Sequence, residues 1–129
     1  MAAADDPDPT PDDERLLYTY RGVVASAPVP VFSTLADLQS GPRTSVDRDR
    51  LEVAEEGGWW FRAEMAVVPH PRGALVTSRI LNVATVARWA VPMANRMFIG
   101  ARARYRQAFA DELDHVGEIL GVESYLLDG

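Results

Sequence analysis

With 129 residues the chain is sized for one domain that buries about two-thirds of its unfolded surface. It has no cysteine, and all 13 basic residues are arginine, which excludes disulfides, thiolate nucleophiles, Cys-rich zinc sites, Schiff-base lysines and the phosphate-loop lysine. The net charge of −6 is concentrated in residues 1–15, where Asp5, Asp6, Asp8, Asp12, Asp13 and Glu14 stand against Arg15, so the rest of the chain is nearly neutral and gives no general case for binding nucleic acid.

Residues 1–14 mix Asp, Pro and Ala without periodicity and are expected to form a disordered acidic tail. No apolar run approaches 18 residues, and the N-terminus is acidic rather than basic. Neither a membrane span nor a secretory signal is therefore indicated, and a cytoplasmic protein is the default expectation.

The ordered domain is expected over residues 15–121. A first strand covers residues 16–26, rich in Tyr, Thr and Val. Pro28 and Pro30 suit the opening turn of a short helix whose apolar face is Val31, Phe32, Leu35 and Leu38, and Gln39-Ser40-Gly41-Pro42 ends it. Residues 43–50 are weakly patterned, with room for one edge strand at 44–46. A strand meander follows over residues 51–55, 59–68 and 74–83.

Register follows from keeping one face apolar. A three-residue Glu56-Gly57-Gly58 loop places Leu51 and Val53 on the face of Phe61 and Ala63, whereas a two-residue loop would place them with Arg62 and Glu64. A second loop, Pro69-His70-Pro71-Arg72-Gly73, pairs Val67 with Leu75 and Ala63 with Arg79. The inward row then reads Leu51, Val53, Phe61, Ala63, Met65, Val67, Leu75, Thr77, Arg79 and Leu81.

After a linker holding Trp89, residues 92–120 read as one amphipathic helix. Met93, Met97, Ala101, Tyr105, Ala108, Phe109, Leu113, Val116 and Leu120 recur at helical spacing, with Pro92 at the start and Gly121 just past the end. Such a helix is about 43 Å long and needs a sheet to lie against. Residues 122–129 are expected to be a C-terminal tail. Strand, short helix, antiparallel meander and long helix make an α+β order with helices on one face of the sheet.

The stretch VVASAPVPVFSTLADL, with Ala27-Pro28, Val31-Phe32 and Asp37-Leu38, resembles the signature of the START-like, Bet v 1-like superfamily, the group of polyketide cyclases and lipid-transport proteins. WWFRAEMAVVPHPRGALVTSRILNVA is similar to the family's later hairpin, and the terminal helix resembles the one that fills its helix-grip; the likeness covers residues 16–120. The resemblance implies a curved antiparallel sheet wrapped on the long helix, with a hydrophobic or amphipathic small molecule, lipid- or polyketide-like, held between them. Cyclase or dehydratase chemistry is the implied activity. The family usually has a further helix and strands where this chain has only residues 41–50, so a smaller or open pocket is expected.

The candidate pocket residues are Phe32, Phe61, Met65, Thr77, Arg79, Leu81, Trp89, Met93, Met97, Tyr105 and Phe109. Arg79 and Tyr105 are the candidates for chemistry: a guanidinium fork to hold an oxyanion, and a phenol to donate a proton. Arg79 has three other readings: an open strand end, pairing with an internal carboxylate, or turning outward at a bulge after Leu75. The methionines and Phe109 equally suit plain core packing. His70 lies in a hairpin loop and His115 is spaced to pair with Asp111 at i,i+4, so both read as surface residues. No metal spacing and no cofactor motif stands out.

The long helix carries Arg96, Arg102, Arg104 and Arg106 early and Asp111, Glu112, Asp114 and Glu118 late, against the preference of the helix dipole. Docking of the acidic tail is one account of this order, and an antiparallel homodimer is another. A partner-binding or dimerisation module with a filled core is the alternative to the ligand-binding reading.

Overall fold

A computed structural model describes residues 16–57, 61–82 and 101–127. Strand β1 (Leu16–Val24) leads into helix α1 (Pro28–Leu38), then β2 (Thr44–Asp47), β3 (Glu52–Glu56), β4 (Phe61–His70) and β5 (Gly73–Asn82), helix α2 (Ala101–Leu120) and β6 (Ser124–Leu127). The six strands form one open antiparallel sheet in the order β2-β3-β4-β5-β1-β6. Both helices pack on one face of it, giving an α+β architecture.

Local sequence accounts for the helix ends. Pro28 occupies the first turn of α1, where a missing N–H leaves no bond unmade, and Ala27 before it is extended. The Gln39 N–H closes the other end on the Leu35 carbonyl at 3.1 Å. Helix α2 ends in a Schellman motif: Gly121 N–H donates to the Glu118 carbonyl at 3.3 Å and Val122 N–H to the Gly117 carbonyl at 2.9 Å. Val122 then packs on the core and turns the chain back toward β6. Residues 92–100, where the helix is expected to begin, lie outside the described residues.

The core lies between the sheet and the helices. Val31, Phe32, Leu35 and Ala36 of α1 meet Val53, Met65, Val67 and Val76 of the sheet, while Phe109, Leu113 and Val116 of α2 cover β1. Burying each of the larger of these side chains contributes about 1.5–3 kcal/mol relative to exposure. Helix α2 comes so close to β1 that a Cβ on Gly22 would collide with the Leu113 Cδ1.

Three expectations from sequence are corrected. Residues 124–127 are not tail: they pair with Arg21–Val24 and add a sixth strand. Glu56 lies inside β3 rather than in a three-residue loop, and Val53 stands opposite Met65; the parity is unchanged, so Val53, Phe61, Ala63 and Met65 do share the inward face. The second hairpin differs more. It turns on Pro71-Arg72 alone, with His70 opposite Gly73 and the His70 Nδ1 accepting the Arg72 N–H at 3.1 Å. Gly73 has φ of 141°, a conformation that favours glycine, and it lies hard against the backbone of residues 24–26.

That tight turn shifts β5 by one residue against the expected register, and a one-residue shift exchanges the faces of a strand. Val67 faces Val76 rather than Leu75, and Ala63 faces Ile80 rather than Arg79. Ala74, Val76, Ser78 and Ile80 point to the helices; Leu75, Thr77, Arg79 and Leu81 point away.

Candidate functional site

The inward face divides into two ends. At one, Val24, Val31, Phe32, Leu35, Val67, Val76 and Val116 are packed with almost no exposure. Phe32 and Met65 belong here: Phe32 is buried beneath the Arg48 guanidinium, whose Cζ is 5.8 Å from the ring centroid, and Met65 Sδ lies 3.4 Å from the Gln39 amide nitrogen. The same amide donates to Glu112 Oε2 at 2.7 Å. Burial pushes the Glu112 carboxyl above its ordinary range, and the Gln39 hydrogen bond opposes that shift.

At the other end the face is aromatic and partly open. The alternation in LLYTYRGVV puts Tyr18 and Tyr20 on the helix side with Gly22 and Val24. Phe61 comes from the start of β4, and Tyr105 and Phe109 come one helical turn apart on α2. Their rings are in mutual contact: Tyr18 and Tyr105 centroids are 5.5 Å apart, Phe61 and Tyr105 6.2 Å, Tyr20 and Phe109 6.3 Å, and Tyr18 and Tyr20 6.3 Å. These spacings suit tilted or offset ring packing. Tyr18, Phe61 and Tyr105 are half-buried, so part of this surface meets solvent.

Polar groups edge the aromatic cluster. The Tyr20 hydroxyl donates to the Arg102 carbonyl at 2.9 Å, and the Arg102 guanidinium carbon lies 5.9 Å from the Tyr18 ring centroid. Ser78 and Asn82, both buried, point to the same side from β5, Ser78 opposite Tyr20 and Asn82 opposite Phe61. Burial raises the Tyr20 phenol, against the pull of Arg102, and burial also raises the Tyr105 phenol, helped by Tyr18. Both phenols therefore stay protonated at neutral pH; the Tyr20 proton is given to the Arg102 carbonyl, and the Tyr105 O–H can donate a hydrogen bond to a ligand.

The predicted residues are thus separated. Phe61, Tyr105 and Phe109 come together; Phe32 and Met65 lie in the filled end; Trp89, Met93 and Met97 lie outside the described residues. Thr77, Arg79 and Leu81 are on the opposite face of the sheet, with Leu81 buried there. Arg79 pairs with Glu64 at 3.0 Å, Glu64 with Arg62 at 2.8 Å, and Arg62 with Glu56 at 2.6 Å, a ladder of alternating charge across β5, β4 and β3. It borders a 300 Å³ depression with Glu52, Ala54 and Thr77. Arg79 and Tyr105 cannot act on one substrate with the sheet between them, so the expected oxyanion-and-proton pair is not formed. Tyr18, Tyr20, Ser78 and Asn82 were absent from the sequence-based set. Strand alternation marks the two tyrosines, whereas Ser78 and Asn82 emerge only from the corrected register.

Among the described residues no group of three or more His, Asp or Glu side chains could hold a metal ion, and no helix is long and apolar enough to cross a membrane. Comparison with known proteins gives no matching family model, no matching curated protein and no matching solved structure.

Proposed function

We propose that this is a small START-like helix-grip domain that binds an aromatic or amphipathic small molecule at the tyrosine-lined end, between β1, β4 and the first half of α2. The observation that carries the reading is the asymmetry of the inner face. One end is filled with buried side chains, mostly aliphatic around Phe32 and Met65, while the other presents half-exposed rings beside buried Ser78 and Asn82. Apolar walls with a few convergent polar groups are the usual composition of a small-molecule site. A flat or ring-bearing ligand would stack on Tyr18, Phe61 and Tyr105 and take a hydrogen bond from the protonated Tyr105 phenol. In a cyclase-type role the Tyr105 phenol would act as the proton donor, with no part for Arg79.

The test is a titration with 1-anilinonaphthalene-8-sulfonate as the probe, alongside native mass spectrometry of freshly purified protein. Stoichiometric, saturable binding is expected, weakened at least about fivefold by Tyr105→Ala, since a stacking contact is worth about 1 kcal/mol. Wild-type protein that is fully folded and binds no probe would remove the proposal.

A further inference from the structure

Strand β6 is the outermost strand on its side of the sheet, so among the described residues one row of its backbone N–H and C=O groups has no strand partner. An unpaired edge is a template for another strand. This edge is not blunted by charge or proline: its sequence is Ser124-Tyr125-Leu126-Leu127. Its two ends differ in sign. Beside Leu127 lies a 120 Å³ pocket bordered by Arg21, Arg102 and Arg106. Beside Ser124 lies a wide groove bordered by Asp114, Glu118 and Glu123.

On α2 the residues flanking that edge form one ridge at four-residue spacing: Arg102, Arg106, Ala110, Asp114, Glu118. The ridge is self-complementary about Ala110. An antiparallel copy would bring Arg106 to Asp114 and Arg102 to Glu118, each pair twice, with the small Ala110 meeting itself at the centre. The arrangement also accounts for arginines early and acids late, an order the helix dipole alone disfavours.

The spacings agree. Helix α2 packs on β1 and β6 together, so its axis lies roughly half a strand spacing inside β6. If two β6 strands paired at about 4.8 Å, the α2 axes would be about 10 Å apart, the distance at which helices pack. Two strand steps of sheet twist would cross them at about −45°, the angle of packing between four-residue ridges. The Ser124 hydroxyl donates to Asp114 Oδ1 at 3.1 Å, which sets the level of strand against helix. Ala110 is one turn before Asp114, about 6 Å along, and two strand residues span about 6.6 Å. The same axis therefore passes Ala110 and Leu126.

We propose that the chain forms a two-fold homodimer in which β6 pairs antiparallel with β6 of a second copy and the α2 ridges cross at Ala110. Such a contact is isologous and closes on itself. It is independent of any ligand.

Sedimentation velocity of the whole chain should show a dimer that weakens with salt. Arg106→Asp or Asp114→Arg alone should raise the dissociation constant by about tenfold or more, because each places two like-charged contacts across the axis. The double variant Arg106→Asp/Asp114→Arg should restore it. A second readout does not depend on charge: the chain has no cysteine, and helix axes about 10 Å apart put the Ala110 Cα atoms about 5 Å apart, within disulfide range. Ala110→Cys should oxidise to a covalent dimer much faster than Ala108→Cys, which is exposed on the opposite side of α2. A wild-type monomer at all concentrations, single charge variants that dimerise as tightly as wild type, or equal cross-linking at the two cysteines would each overturn the proposal.

Discussion

Gly22 and Leu113 are expected to be energetically coupled, and the size of the coupling follows from their contact. A methyl group at Gly22 would collide with Leu113 Cδ1 and approach the Tyr125 carbonyl oxygen to 3.0 Å. Leu113 is 1 % exposed and packed on all sides, so it has little room to move. Gly22→Ala should therefore destabilise by about 1–3 kcal/mol through overpacking, reduced by about 0.4–1 kcal/mol from the stiffer unfolded chain. Leu113→Ala alone should cost about 2–5 kcal/mol, as a buried leucine leaving a cavity beside β1. In the double variant the new methyl enters that cavity, so its cost should disappear or change sign. The expected coupling is about 1–2 kcal/mol in favour of the pair. The assay is urea unfolding of the four proteins with a common slope, checked by thermal midpoints, where 1 kcal/mol is about 4 °C for a domain of this size. Additivity within about 0.5 kcal/mol would refute the claim that α2 rests on the bare backbone of Gly22.

Three further outcomes follow from the structure. The folded Glu112 carboxyl is raised by burial, so its ionisation opposes folding: stability should fall as pH rises from the unfolded carboxylate range through the folded one. In Glu112→Gln that loss should be absent, read as a flatter midpoint-against-pH curve between mildly acidic and neutral pH. Tyr20→Phe deletes the hydroxyl that donates to the Arg102 carbonyl and should cost about 1 kcal/mol in chemical denaturation, with earlier hydrogen exchange in the first turns of α2. Glu64→Gln breaks the centre of the charge ladder; because Arg62, Glu64 and Arg79 are about one-third exposed, a loss of about 1 kcal/mol or less is expected, shrinking further in high salt by differential scanning calorimetry.

The order of elements was legible because it rests on local signals. Pro28 opens α1, three- and four-residue spacing marks the buried stripe of α2 through Phe109, Leu113 and Val116, and alternation marks β1 and β4. The inward face of β4 was legible too, since only one parity keeps Phe61, Ala63, Met65 and Val67 together. The face of β5 is the opposite of the one expected. The sequence suggests a five-residue loop where Pro71-Arg72 suffices, although the resulting row, with Thr77 and Arg79 inward, is more polar than its alternative of Ala74, Val76, Ser78 and Ile80. The hydrophobic pattern thus carried the correct register, and the assumed turn length overrode it. Strand β6 had no periodic signal of its own in four residues. Its pairing with β1 depends on the Schellman turn at Gly121 and on the contact between Leu126 and the core, neither of which is local to the strand.

The position of β1 between β5 and β6 also sets an order of folding. The hairpins of β2 through β5 join near neighbours in sequence and can form early. Strand β1 is made first, yet one of its neighbours arrives only with β5 and the other only after α2 has been synthesised. Until β5 is made both edges of β1 are open, and until β6 is made one of them still is, so β1 waits longest for its strand partners and is exposed to wrong pairing meanwhile.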